Sequence, residues 1–224
     1  MLFFHILILA LASLASATEC IACSASQLAG PCRAVTLIFA RGSTEPGNIG
    51  IVVGPGLAHG LRKRYGSRNV AVQGVVYPAK IPGNYEAEGC EAVGITNFVS
   101  DLRRAAGKCP STKIVAGGFS QGAACLHAAF KRIDQQTRDR VVGVVTFGDT
   151  RNHQDGGKVP SFPPDRTRIY CNKADEVCTG TLKTSAAHRA YFKDVGPAVK
   201  FLSERIGEVK GGTRGGKIGV DLLT

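Results

Sequence analysis

The sequence predicts an α/β fold in three layers, a largely parallel sheet with helices on both faces. Three observations carry this. First, runs such as Ala34-Val-Thr-Leu-Ile-Phe-Ala40 and Val141-Val-Gly-Val-Val-Thr-Phe147 are short, continuously apolar and rich in β-formers. Runs of that kind mark strands buried on both faces. Second, segments of helical period lie between them: Ile95, Phe98, Val99, Leu102 and Ala106 fall at i, i+3, i+4, i+7 and i+11. Third, Lys113 to His127 passes from an apolar run through a glycine-rich turn into a stretch of small residues, a strand–turn–helix unit. Strands alternating with helices pair in parallel, and ligands then sit beyond the carboxyl ends of the strands.

Residues 2–15 are almost wholly apolar, and Ala15-Ser16-Ala17 is a small-x-small site. Residues 1–17 therefore read as a secretory signal peptide, cleaved after Ala17 and too short to span a bilayer comfortably. Positions 18–209 form a single domain. It opens with an irregular, cysteine-bearing segment at 18–33, followed by the strand at 34–40. Arg41 to Asn48 is a loop by composition. A helix at 52–65 places Leu57, Leu61 and Tyr65 on one face, and a strand at 69–76 is ended by Tyr77-Pro78. A loop at 79–89 precedes the amphipathic helix at 91–107. The strand at 114–116 and the helix from Gln121 to about Asp134 flank the glycine turn, and a polar turn follows at 135–139. After the strand at 141–147 comes a polar loop at 148–165 with Pro160, Pro163 and Pro164. A short strand at 168–170 leads to a loop at 171–191. The last helix, 195–209, turns Ala198, Val199, Leu202 and Ile206 inward. The basic, glycine-rich stretch 210–224 reads as a mobile tail. The carboxyl-end rule places the Ser43 loop, Ser120 and the 171–191 loop on one rim.

The formal net charge is +11, with no charged side chain among residues 1–17. The basic residues are scattered, Arg62-Lys63-Arg64 being the densest run, so the charge suits a basic secreted enzyme better than a nucleic-acid binder. All eight cysteines lie beyond the signal, and an even count in a secreted chain implies disulfides. Cys20-Ile-Ala-Cys23 has metal-ligand spacing, but no second pair follows at finger spacing, and no metal is expected. The sequence holds no Asn-x-Ser/Thr acceptor.

The glycine turn carries the chemistry. Gly118-Phe119-Ser120-Gln121-Gly122 is a G-x-S-x-G pattern between a strand and a helix, the nucleophile elbow of α/β-hydrolase-type enzymes. A serine hydroxyl needs a base, and the base needs an orienting carboxylate. The chain order in such folds is Ser, then Asp or Glu, then His. Of five histidines only His153 and His188 follow Ser120. His188, between the last strand and the last helix, is the expected base. Asp175 in Cys171-Asn-Lys-Ala-Asp-Glu-Val-Cys178 is the first choice of acid, since a disulfide closing that loop would hold it rigidly. Asp149 is the runner-up and Glu176 stays open. His127 and His59, on helices, read as buried or half-buried structural residues. The oxyanion donors fall to the N–H of Gln121, after the nucleophile, and to Ser43 in the loop after the first strand.

These residues together resemble the fungal cutinase family. The matching pieces are Phe39-Ala-Arg-Gly-Ser-Thr-Glu45, Cys109-Pro, Gly117-Gly-Phe-Ser-Gln-Gly-Ala123, Asp165-Arg-Thr, and Cys171-Asn-x-x-Asp-x-Val-Cys-Thr-Gly180 followed by His188. The likeness runs from Cys32 to Ile206. It implies an α/β-hydrolase-like sandwich with a five-stranded parallel sheet and no large lid. It implies a triad on Ser120, Asp175 and His188, an oxyanion hole on Ser43 and Gln121, and disulfides Cys32–Cys109 and Cys171–Cys178. The implied reaction is hydrolysis of cutin or related polyesters through an acyl-serine, with no cofactor. The implied partners are ester substrates and a plant cuticle or cell-wall surface, without nucleic acid or stable membrane insertion, for a monomer.

The chain also departs from the family. Leu182 keeps the aliphatic rim beside the histidine, but Lys183, Thr184 and Arg189 are polar or basic, and Ala187 stands where proline is common. Cys20, Cys23, Cys90 and Cys125 are additional, with their pairing open. Val75-Val-Tyr-Pro-Ala79 is closer to acetylxylan esterases, so an acetylxylan esterase or short-chain carboxylesterase with the same triad is the alternative. A non-enzymatic basic protein that binds surfaces is the alternative of another class.

Overall fold

The computed structural model describes residues 21–209. The predicted signal peptide (1–17), Cys20 and the glycine-rich tail (210–224) lie outside the described residues. Five strands, β1 (Val35–Ala40), β2 (Val70–Gly74), β3 (Lys113–Phe119), β4 (Val141–Phe147) and β5 (Thr167–Tyr170), form one sheet in the order β2-β1-β3-β4-β5. Every pairing between these five strands is parallel. Successive side chains of a strand face opposite sides. Leu37 and Phe39 of β1 therefore meet one helical layer, and Ile38 and Ala40 the other. The first layer is α1 (Gly54–Tyr65) with α5 (Val195–Ile206), which bury Leu57, Leu61, Tyr65, Ala198, Leu202 and Ile206. The second is α2 (Ala92–Lys108) with α3 (Gln121–Phe130), which bury Ile95, Phe98, Leu102, Ala124 and Leu126. Cover on both faces is why the strands lack alternation in sequence.

Strand order reverses direction between β1 and β3, which makes their shared carboxyl edge a topological switch point. Register puts Ala40 beside Gly118. The loop after β1 and the turn after β3 thus emerge side by side.

Element ends differ from the sequence expectation. The strand before Ser120 runs to Phe119, because Gly117 and Gly118 continue the ladder against Phe39 and Ala40. The expected polar turn at 135–139 is a short helix, α4 (Gln135–Asp139), with the Asp134 side chain accepting from the Thr137 N–H at 2.8 Å as its N-cap. The helix after Ser120 stops at Phe130, and α5 stops at Ile206 with Gly207 at φ 69°. His59 is exposed rather than buried, since α1 turns Leu57 and Leu61 inward. Among the described residues three disulfides tie the domain: Cys32–Cys109, Cys171–Cys178 and Cys90–Cys125. The last links the loop before α2 to the middle of α3.

Candidate active site

Ser120 sits between β3 and α3 with φ 55° and ψ −121°, a conformation that side chains rarely adopt. Its N–H donates to the Phe147 carbonyl at 2.9 Å, anchoring the turn to β4. The flanking glycines make the turn possible. A Cβ on Gly118 would lie 2.4 Å from the Gly122 carbonyl oxygen, and one on Gly122 would lie 2.1 Å from the Ala40 oxygen. The G-x-S-x-G spacing is therefore steric: strand, helix and neighbouring strand approach where no side chain fits. At the start of α3 the N–H of Gln121 has no acceptor within its own helix and lies at the positive end of the helix dipole.

The 171–191 loop brings the other two groups. His188 Nε2 lies 2.9 Å from Ser120 Oγ, and His188 Nδ1 lies 2.8 Å from Asp175 Oδ2. Asp175 and His188 are both buried, at 1% and 4% exposure. The Cys171–Cys178 bridge closes the loop that holds Asp175. Within it the Asp175 N–H donates to the Asn172 carbonyl at 2.8 Å, and Asp175 Oδ1 accepts from the Val177 N–H at 3.2 Å. The Tyr191 hydroxyl donates to Asp175 Oδ2 at 2.7 Å and accepts from the Asn172 N–H at 2.9 Å. Burial, then the hydrogen bond to Asp175, raises the Tyr191 pKa, so the phenol keeps its proton. Phe119 stacks on the imidazole at 5.1 Å between centroids. Gly148, at φ 50°, closes the other side: a Cβ there would lie 2.8 Å from His188 Cε1.

The loop after β1 completes the site. A Cβ on Gly42 would meet the Phe119 ring at 2.8 Å and Ser120 Cβ at 3.3 Å, so this turn lies against the elbow. Glu45 fixes its shape by accepting from the N–H groups of Gly42, Ile51 and Val52 at 2.7–2.8 Å. Buried Arg41 donates to the carbonyls of Glu45 and Tyr77. Ser43 Oγ accepts from Asn84 Nδ2 at 2.9 Å. The Gln121 side chain donates to the Lys80 carbonyl at 2.9 Å, tying the elbow to the same flank. A groove of about 450 Å³ runs over Ser120 and His188, and Ser43 lines it. Ile51, Ile81, Tyr85 and Leu182, all exposed, give it an apolar border.

The structure thus brings Ser120, His188 and Asp175 into one hydrogen-bonded line and sets Ser43 on the same groove. The other candidates lie elsewhere. Asp149, the runner-up acid, is fully buried and serves His127: its Oδ2 is 2.9 Å from His127 Nε2 and accepts from the Thr146 hydroxyl. Asp155 Oδ2 lies 2.7 Å from His127 Nδ1. Burial pushes the His127 pKa down, but the two carboxylates outweigh it and raise it to about 9. Glu176 points outward, 3.8 Å from Lys183 Nζ, and His153 is exposed beside Gly180. Sequence reasoning missed Tyr191, Gly148 and the bracing role of Glu45. Glu45 ends the motif Phe39 to Glu45, whereas Tyr191 and Gly148 gain their meaning only from where the chain folds.

Comparison with known proteins gives three kinds of match. A protein-family model described as "Cutinase" matches residues 31–206. Cutinase 3 of Emericella nidulans is 48% identical over 179 residues, 79% of this chain and 80% of that one. The solved structure of Trichoderma reesei cutinase in complex with a C11Y4 phosphonate inhibitor superposes with a TM-score of 0.74 at 31% identity, covering 83% of this chain and 81% of that one. An acetylxylan esterase structure superposes at 0.66 with 21% identity over 79% of this chain and all of the other, a likeness of fold alone.

Proposed function

The chain belongs to the cutinase family, and on that premise we propose that Ser120, His188 and Asp175 hydrolyse the esters of cutin or related polyesters outside the cell. The protein is a carboxylic ester hydrolase. The observation that carries the residue roles is the line Ser120 Oγ–His188–Asp175, at 2.9 and 2.8 Å, on the floor of an apolar-bordered groove.

In the first step Ser120 Oγ attacks the ester carbonyl carbon while His188 Nε2 takes the hydroxyl proton. Asp175 holds the imidazole in the tautomer that presents Nε2 as acceptor and stabilises the imidazolium that forms. The tetrahedral oxyanion is held by the Gln121 N–H and by Ser43. Collapse breaks the bond to the alcohol oxygen, which leaves with the proton from His188. Water, deprotonated by His188, then attacks the acyl-serine and regenerates Ser120.

The segment Val75 to Ala79 makes a small acyl group the competing expectation, and the polar and basic residues 183, 184 and 189 weigh against a long-chain polyester. The groove's apolar border comes mostly from elsewhere in the chain, from Ile51, Ile81 and Tyr85, and favours a longer chain over acetate. Secretion is supported by the three disulfides. Among the described residues no helix is long and apolar enough to cross a membrane.

Initial rates on p-nitrophenyl acetate, butyrate and hexanoate, with acid release from cutin and from acetylxylan, test the substrate. The expected result is a higher kcat/KM on butyrate and hexanoate than on acetate, and hydroxy acids released from cutin. Faster release of acetate from acetylxylan would overturn it.

A further inference from the structure

The groove over Ser120 holds a charge that ester hydrolysis does not require. Among the described residues, Arg189 is the one permanent cation that lines it. It is exposed, and among the described residues its guanidinium has no hydrogen bond, ion pair or ring contact. Among the described residues the only carboxylate in the lining, Glu45, has both oxygens committed to the N–H groups of Gly42, Ile51 and Val52. The neighbouring cation, Lys183, faces Glu176 at 3.8 Å and lies outside the lining. The groove therefore combines an apolar border with a guanidinium that none of the described residues neutralises. A guanidinium offers a planar fork of donors that matches a carboxylate, and its solvent exposure keeps the desolvation cost of such a pair low.

Building on the esterase reading, we infer that Arg189 selects esters whose chain also carries a free carboxylate. Two sources supply that chemistry. One is the half-ester of a dicarboxylic acid, with the anion on the acyl side. The other is an ester whose alcohol is a hydroxy acid, with the anion on the leaving group. His188 hands its proton to the leaving oxygen, and Arg189 follows it on the same turn, Ala187–Arg189, with its N–H on the Ala186 carbonyl. Either anion would be drawn in by attraction across a groove where no described residue offers a competing free carboxylate.

The test compares two pairs of esters: p-nitrophenyl hexanoate with mono-p-nitrophenyl adipate, and hexyl butyrate with the butyrate ester of 6-hydroxyhexanoate. Each is assayed with wild type, Arg189→Gln, Arg189→Lys and Lys113→Gln. Lys113 begins β3, at the far end of the strand from Ser120, and its loss controls for net charge. The expected result is that Arg189→Gln lowers the anionic-to-neutral ratio of kcat/KM by about two- to fivefold, the range of an exposed ion pair. The arm in which it falls identifies the side of the anion. Arg189→Lys keeps part of the preference, Lys113→Gln keeps all of it, and about 0.5 M salt removes it from the wild type. Equal ratios for wild type and Arg189→Gln in both arms would overturn the inference, as would the same drop in Lys113→Gln. Turnover of the neutral esters, and its loss in Ser120→Ala, reports separately on the esterase reading.

Discussion

Replacing His127 by leucine tests the reading of the polar cluster behind the elbow. The imidazole is fully buried, with Asp149 at 2.9 Å on one nitrogen and Asp155 at 2.7 Å on the other. Both contacts are hydrogen bonds to carboxylates, which fits an imidazolium. Removing the cation leaves Asp149, also fully buried, as an anion whose remaining partners among the described residues are the Thr146 hydroxyl and the Arg151 N–H. Breaking a buried pair from one side costs about 3–5 kcal/mol, because the remaining charge is uncompensated. For a domain of this size each kcal/mol moves Tm by about 2–4 °C, so the variant should melt about 6–20 °C lower. Urea and thermal denaturation at pH 6 read this directly. Asp149→Asn placed in the same chain should cost less than the two single changes added together. The pH dependence has a definite sign. The folded pKa of His127 is raised to about 9 from an ordinary 6.5. Its stabilisation is therefore complete below about pH 6.5 and fades as pH rises through about 9, a loss on the order of 3 kcal/mol. Asp149 is shifted the other way: burial raises its pKa, but His127 outweighs that and lowers it. Its contribution is present above the ordinary carboxylate range and fades as pH falls. The stability difference between wild type and His127→Leu should therefore be large at pH 6 and shrink by pH 9.5. A variant within 1 kcal/mol of wild type at pH 6, or a difference that does not change with pH, would refute the imidazolium reading.

Three further outcomes are expected. Tyr191→Phe deletes a donor to Asp175 Oδ2 and leaves the Asn172 N–H without its acceptor; kcat should drop about tenfold or more with KM little changed, and unchanged kcat would remove Tyr191 from the positioning machinery. Gly148→Ala drives a Cβ to 2.8 Å from the His188 ring at a left-handed backbone position; steady-state kinetics should give a kcat loss on the order of 10²-fold in a protein whose circular dichroism is native, whereas full activity would mean the imidazole has room to spare. Asp175→Asn should lower kcat about 10⁴-fold at neutral pH, and Asp149→Asn far less; the reverse order would reassign the acid.

Much of the fold is legible in the sequence because its signals are local. The continuous apolar runs of β1 and β4 need both faces covered, and the period in α2 states which side is buried. The elbow is legible for a sharper reason: a Cβ at Gly118 would run into the Gly122 carbonyl and one at Gly122 into the Ala40 carbonyl, so no other residue fits either place. Chain order then reduces the histidines to His188 and His153. The choice between Asp175 and Asp149 is not local, because both follow strands at the same edge of the sheet. It is decided by His127, seven residues into the elbow's own helix, which claims Asp149. Tyr191 reaches Asp175 only because the loop folds back on itself. The groove border is dispersed over Ile51, Ile81 and Tyr85, so the stretch 182–189 read alone suggested a more polar site than the one that forms. The Cys90–Cys125 bridge depends on α2 packing beside α3, which the cysteine spacing does not encode.

The central claim is that Ser120 is the nucleophile, and covalent labelling tests it most directly. The protein is treated with an alkyl p-nitrophenyl phosphonate and examined by intact mass and peptide mapping. One phosphonyl group per chain is expected, on the peptide carrying Ser120, with p-nitrophenyl butyrate hydrolysis lost in step with labelling. Ser120→Ala should take no label and lose at least ~10³-fold in kcat, with an unchanged melting curve. A label on another residue, or a Ser120→Ala protein within tenfold of wild-type activity, would contradict it.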